Sequence, residues 1–173
     1  MVRSALGGNA SLGRGPRRLA RFWPACSVAV GSTFSILPIV TEVGWGPDFG
    51  FLMLIAWRLL RGDVIPAWSA APLGLFNDLI TGVPIGLSIF VWTASMLLLD
   101  LADRRTMWRD YWIEWLLAAM LLFIGQLVRW RVDTLMGAPY EFHLIWSPWI
   151  ISVLTFPLAA FVASAVDRWR LGR

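Results

Sequence analysis

Gly46-Pro47-Asp48-Phe49-Gly50-Phe51-Leu52-Met53-Leu54-Ile55-Ala56-Trp57-Arg58-Leu59-Leu60-Arg61 is the stretch on which the fold turns. Its apolar part, Phe49 to Leu60, has twelve residues. At about 1.5 Å of rise per residue such a helix covers only about 18 Å. A membrane helix ordinarily needs about 20 apolar residues to cross a hydrocarbon core of roughly 30 Å. The segment crosses only if its helix draws in Pro47 and Arg61, lets its ends reach back to the interface, or thins the bilayer. Otherwise it forms a re-entrant hairpin, and every later segment changes sides.

The residues around it leave membrane as the solvent. Hydrophobic residues make up 58% of the chain, with twelve Trp and only 15% charged residues, too little polar surface to coat a soluble globule of 173 residues. Five further apolar runs are candidate spans: Phe22 to Val40, Val64 to Ile80, Pro84 to Leu99, Trp112 to Trp130 and Phe142 to Ala163. The first exceeds the about 7–15-residue core of a signal peptide and is read as an uncleaved span.

Charge decides between crossing and re-entry, because arginine on short loops marks the cytoplasmic side. All fifteen basic residues are Arg. With six crossings and the N-terminus inside, Arg3, Arg14, Arg17, Arg18, Arg21, Arg58, Arg61, Arg104, Arg105, Arg109, Arg168, Arg170 and Arg173 lie inside, thirteen against Arg129 and Arg131 outside. If Phe49 to Leu60 fails to cross, the division becomes seven against eight. The expectation is therefore an all-α, polytopic transmembrane helical bundle of six spans, with both termini cytoplasmic. Residues 1–21 form a mobile basic arm, 22–166 the membrane domain and 167–173 a basic tail.

This arrangement narrows function. A net charge of +4 would raise nucleic acid as a partner of a soluble protein, but here the arginines flank apolar runs and suit anionic lipid headgroups, so no nucleic acid is expected. Trp23, Trp45, Trp68, Trp108, Trp112, Trp130, Trp146 and Trp169 fall near span ends, where an indole anchors at headgroup level. Cys26 has no partner, and there is no phosphate-binding glycine loop and no His or Cys cluster with metal-ligand spacing. His143 and Glu141 are two residues apart, a spacing that points side chains away from each other on a helix. No catalytic residue, metal site or cofactor is expected.

The densest local pattern is Gly74-Leu75-Phe76-Asn77-Asp78-Leu79-Ile80-Thr81-Gly82-Val83-Pro84-Ile85-Gly86, where Gly74, Asp78, Gly82 and Gly86 recur at every fourth residue. Pro84 disfavours helix at Val83, so the run reads as a tight turn between the third and fourth spans, with a new helix beginning at Thr81 or Gly82. The glycines suit close packing and turn geometry. Asp78 has two readings: an ionisable side chain turned to the protein interior for function or assembly, or a hydrated cap on the helix starting at Thr81 and Gly82.

The segment Gly46 to Trp57, followed by Gly74-x-x-x-Asp78-x-x-Thr81-Gly82-x-x-x-Gly86, resembles the MreD family of rod shape-determining inner-membrane proteins. The shared features are an outer proline-containing loop leading into a short apolar helix, and the Gly-x-x-x-Asp-x-x-Ser/Thr-Gly-x-x-x-Gly signature in the next. The N-terminal arm and the abundance of Trp and Arg depart from the family pattern, and beyond Asp100 the likeness is one of hydropathy. The resemblance implies a non-catalytic component of the cell-elongation machinery, which supports lateral peptidoglycan synthesis by scaffolding MreC, and with it MreB, RodA and a class B penicillin-binding protein. It also implies similarity in fold to the six-helix substrate-binding components of energy-coupling-factor transporters, and hence an alternative, a small-molecule-binding transporter component.

That alternative requires a polar cavity at membrane depth, for which Asn77, Asp78, Ser88, Thr93, Ser95, Gln126 and Thr155 are the candidates. They are scattered and mostly neutral, and small hydroxyls can bond their own helix backbone. Arg58 and Glu114 lie near inner-face span ends, where snorkelling suffices. In the first span Ser27, Gly31 and Ser35 fall on one face at four-residue intervals, open to packing within the bundle or to contact with MreC. Arg104, Arg105 and Arg109, interleaved with Asp100, Asp103 and Asp110, either set topology or offer a docking face to the cytoskeletal partner.

Overall fold

The computed structural model describes residues 22–35, 46–105, 111–138 and 141–171. Among these residues there are six α-helices and no strand: α1 Trp23–Phe34, α2 Phe49–Leu60, α3 Ala70–Thr81, α4 Leu87–Arg105, α5 Tyr111–Leu135 and α6 Trp146–Leu171. Single turns of 3-10 helix, Ala67–Ser69 and Phe142–Ile145, lead into α3 and α6. Met1 to Arg21, the end of the first expected span after Ser35, and the last two residues lie outside the described set.

The bundle is built around its shortest apolar helix. Ten of the twelve residues of α2, Gly50 to Leu59, are buried. The helix is flanked by α1 and α6 and touched by α4 and α5. A helix apolar all round has no face to offer water, and here the other helices of the bundle enclose it. Enclosure also accounts for its length, since a helix surrounded by protein need not match the bilayer by itself.

Small residues allow α1 to approach. A Cβ on Gly31 would lie 2.8 Å from the Phe49 carbonyl oxygen and 3.3 Å from Gly50 Cα, so only glycine admits this crossing. Gly50 in turn leaves room for the Ser32 side chain and the Trp92 ring. The Trp57 indole N–H donates to Ser27 Oγ at 2.7 Å, and the Phe49 amide donates to Ser35 Oγ at 3.1 Å. Ser27, Gly31 and Ser35 all face α2.

The same device joins α3 to α4, where a Cβ on Gly74 would lie 2.8 Å from Ile89 N and 2.9 Å from its Cα. The third helix starts later than the apolar run suggests. Pro66 is extended (φ −69°, ψ 148°), and Ile65, at 3% exposure, is tucked against the core from within a connection. The fourth helix starts at Leu87 and runs past Leu99 to Arg105, and the fifth extends to Leu135. Two segments, Tyr111–Leu135 and Phe142–Arg170, are long and apolar enough to cross a membrane. Here α5 packs chiefly on α6, with the Trp149 indole donating to the Ala119 carbonyl at 3.0 Å.

Because the atoms that a new methyl would meet at Gly31 and Gly74 are backbone, neither site can relax cheaply. Gly31→Leu and Gly74→Ala are each expected to cost about 1–3 kcal/mol. Gly46→Ala, where no atom lies within 4 Å, is the neutral control. Thermal unfolding of the purified protein in detergent measures this; equal melting temperatures for all three variants and the parent would contradict the packing account.

Candidate functional site

The turn between α3 and α4 is organised by Asp78. Gly82, with φ +69°, ends α3 in the left-handed region, its amide donating to the Asp78 carbonyl at 3.1 Å. The Thr81 hydroxyl donates back to the Asn77 carbonyl at 2.7 Å. Pro84 sits in the turn, its carbonyl accepting from the Leu87 amide at 3.1 Å. Gly86, with φ +105°, directs its amide at Asp78 Oδ2 (2.8 Å), and the Ser88 amide donates to Oδ1 (2.9 Å). The expected helix start at Thr81 or Gly82 is thus corrected to Leu87, because left-handed Gly82 stops one helix and Pro84 delays the next. Asp78 is 1% exposed and not hydrated. It reaches across the turn to satisfy the free amides at the start of α4, where the helix dipole also favours a carboxylate.

Asn77, 2% exposed, extends this cluster. Its amide nitrogen lies 3.0 Å from Ser88 Oγ and 3.3 Å from Asp48 Oδ2. Asp48 caps α2, its Oδ1 accepting from the Phe51 amide at 3.0 Å. One connected set of hydrogen bonds therefore ties the beginning of α2, the end of α3 and the beginning of α4. Burial pushes the Asp48 carboxyl above the usual carboxylate range, against the opposing pull of the Phe51 amide, the Arg129 charge and the Asn77 side chain. Beside it opens a cleft of about 450 Å³ lined by Ser35, Asp48, Thr81, Gly82, Pro84, Arg129 and Asp133, among others.

The opposite end holds what the sequence reading missed. Arg58 is 6% exposed, so snorkelling does not describe it. Its Nε donates to Asp100 Oδ1 at 3.0 Å and its Nη2 reaches Asp103 Oδ2 at 2.9 Å. The guanidinium also fills the space that a side chain on Gly62 would need. The reason is the extra length of α4: by continuing past Leu99 it brings Asp100 and Asp103, three residues apart on one face, alongside α2. Arg61 Nε pairs with Asp167 Oδ2 at 3.1 Å, and Arg170 Nη2 with Asp167 Oδ1 at 2.6 Å. Arg170 also lies over the Trp57 ring, 5.7 Å from its centroid. The signal was present in the sequence as an arginine interrupting a continuous apolar run.

Other candidates are dispersed. Asp100 and Asp103 belong to Arg58, while Arg109 and Asp110 lie outside the described residues. Thr155 bonds the Ile151 carbonyl of its own helix at 2.6 Å. Gln126 lines a small interior cavity with Asp48, Ser88 and Arg129, but Thr155 lies apart from it. Trp23, Trp68, Trp112, Trp146 and Trp169 are exposed, as anchors would be. His143 Nδ1 and Glu141 Oε2 are 3.0 Å apart, contrary to the helical spacing argument, because Glu141 is extended (ψ 137°) and precedes the turn. Both are largely exposed. Among the described residues no three His, Cys, Asp or Glu side chains are grouped to hold a metal ion.

Together these elements define an all-helical membrane-type bundle whose buried polar groups tie one helix to the next. The family model of the rod shape-determining protein MreD matches residues 17–165, and the chain belongs to the MreD family. It is a family of bacterial rod-shape-determining membrane proteins, a structural component and not a known enzyme family. Comparison with curated proteins and with solved structures yields no significant match.

Asp78→Ala strands two amides at the start of α4 and is expected to cost about 1–3 kcal/mol for each that stays buried. Asp78→Asn, which keeps one acceptor, falls between. Hydrogen exchange over residues 84–90 should accelerate in the order Asn, then Ala; unchanged exchange in Asp78→Ala would remove the capping role.

Proposed function

We propose that this protein is a non-catalytic membrane component of the cell-elongation complex, supporting cell shape and lateral peptidoglycan synthesis by scaffolding partners. The observation that carries the reading is the family match from residue 17 to 165, which takes in nearly all of the six-helix body. MreC is the first partner in this reading, with MreB, RodA and a class B penicillin-binding protein beyond it, membrane lipids around it and no nucleic acid. The distribution of polar groups agrees with a scaffold, since the strongest interactions hold helices at fixed relative positions. Gly74, Asp78, Thr81, Gly82, Pro84 and Gly86 then act in assembly by fixing the α3–α4 corner. Ser27, Gly31 and Ser35 act by seating α1 on α2.

The location that follows is the bacterial inner membrane, crossed six times, with cytoplasmic termini. Support comes from the arginines: Arg58, Arg61, Arg168 and Arg170 gather at the end where α1 begins and α6 finishes, while Arg129 and Arg131 lie toward the other. A second reading, a small-molecule-binding component of the kind found in energy-coupling-factor transporters, has one observation in its favour, the polar cleft beside Asp48.

Depletion in the host separates the two. The scaffold reading predicts wider, rounded cells with dispersed insertion of new peptidoglycan in rich medium. Unchanged shape and wall growth, with a nutrient requirement, would overturn it in favour of the transporter reading.

A further inference from the structure

The seam between α5 and α6 leaves a groove of about 350 Å³ on the outside of the bundle, lined by Leu116, Ala119, Met120, Phe123, Trp146 and Trp149. Leu116 and Met120 are 67% and 60% exposed. Phe123 forms its floor with two indoles, at centroid distances of 5.8 Å to Trp146 and 5.6 Å to Trp149. About two turns further toward the end of α5, Trp130 meets Phe142 at 5.2 Å. Arg131, which is exposed, lies with its guanidinium 4.8 Å from the Trp130 centroid. Eleven residues separate Met120 from Arg131, which returns the two to within about 20° of one another on the helix, about 16 Å apart along its axis. That length is close to the thickness of one leaflet of a hydrocarbon core of roughly 30 Å.

The cation is the informative part. Among the described residues, the only arginines at this end of the bundle are Arg129 and Arg131, on the side that the charge rule disfavours in the six-span topology proposed above. Arg129 is on the opposite side of α5 and acts on Asp48. Arg131 has no carboxylate partner among the described residues, and Glu141 Oε2 lies 3.0 Å from His143 Nδ1. An exposed arginine on the disfavoured side, about 16 Å along α5 from Met120 of the apolar groove and close to the same helix face, suits an anion held at the membrane surface above a hydrocarbon chain. We propose that the α5–α6 groove holds an acyl chain of an anionic phospholipid whose phosphate is bound by Arg131.

The test uses the full chain in uncharged detergent, with phosphatidylglycerol and phosphatidylcholine as probes, and counts retained lipid by native mass spectrometry. The parent is expected to keep phosphatidylglycerol about fivefold over phosphatidylcholine, the preference worth one surface arginine. Arg131→Gln should lose that preference and Arg131→Lys keep most of it. Arg168→Gln, at the far end, should leave it intact. Equal retention by the parent and Arg131→Gln, or equal loss in Arg168→Gln, would overturn the proposal. A photo-crosslinking amino acid at Met120, used in cells, gives an independent reading. An adduct of phospholipid mass supports the site, whereas an adduct to another protein assigns the groove to a partner's helix and overturns it.

Discussion

Everything in this structure depends on holding a twelve-residue apolar helix in the middle of the bundle. α2 is too short to span a bilayer by its own length and too apolar to face water, and the bundle encloses it. It is fixed at both ends by polar groups: its own cap Asp48 with Asn77 of α3 where it begins, and its Arg58 with Asp100 and Asp103 of α4 where it finishes. A buried guanidinium left without its acids would be among the costliest defects the chain could carry. The arrangement therefore does more than add stability. It fixes how α4 and α6 stand against α2, because Arg58 finds its acids on α4 and Arg61 finds Asp167 on α6.

The corner between α3 and α4 follows the same logic with a different mechanism. A left-handed glycine ends one helix, a proline holds the turn open, and a buried carboxylate eight residues upstream satisfies the first amides of the next helix. Asp78 so bonded is an internal cap, and it joins Asn77, Ser88 and Asp48 in a cluster at the end of the bundle away from Arg58. In the proposed scaffold role, such rigidity would keep partners bound at separate faces in a constant relative position.

Much of this was legible in the sequence, and the failures are instructive. The bounds of α2 were readable because Asp48 and Arg61 flank an unbroken apolar run, and its central place was hidden because hydropathy cannot separate a buried helix from a lipid-facing one. The row Ser27, Gly31, Ser35 could be assigned to one face from spacing, but not to α2, since spacing does not name the neighbour. Asp78 was visible as an ionisable residue in an apolar setting, yet its partners lie across a turn whose left-handed glycines no periodicity argument resolves. Arg58 was misread because an arginine near a span end ordinarily reaches for the interface. Only the length of α4 revealed that two aspartates were waiting beside it. Glu141 and His143 were misjudged for a similar reason: a rule for helices was applied where the chain is extended.

The central claim, that α2 passes through the bundle rather than turning back, has a direct test. In a Cys26→Ser background, single cysteines at Asp63 and Ala138, both exposed in the structure, are offered to a membrane-impermeant maleimide added outside spheroplasts. A crossing α2 puts Asp63→Cys inside, unlabelled until the membrane is opened, and Ala138→Cys outside, labelled at once. The reverse pattern, with Asp63→Cys labelled and Ala138→Cys protected, would mean that α2 re-enters, and the account built on it would fall.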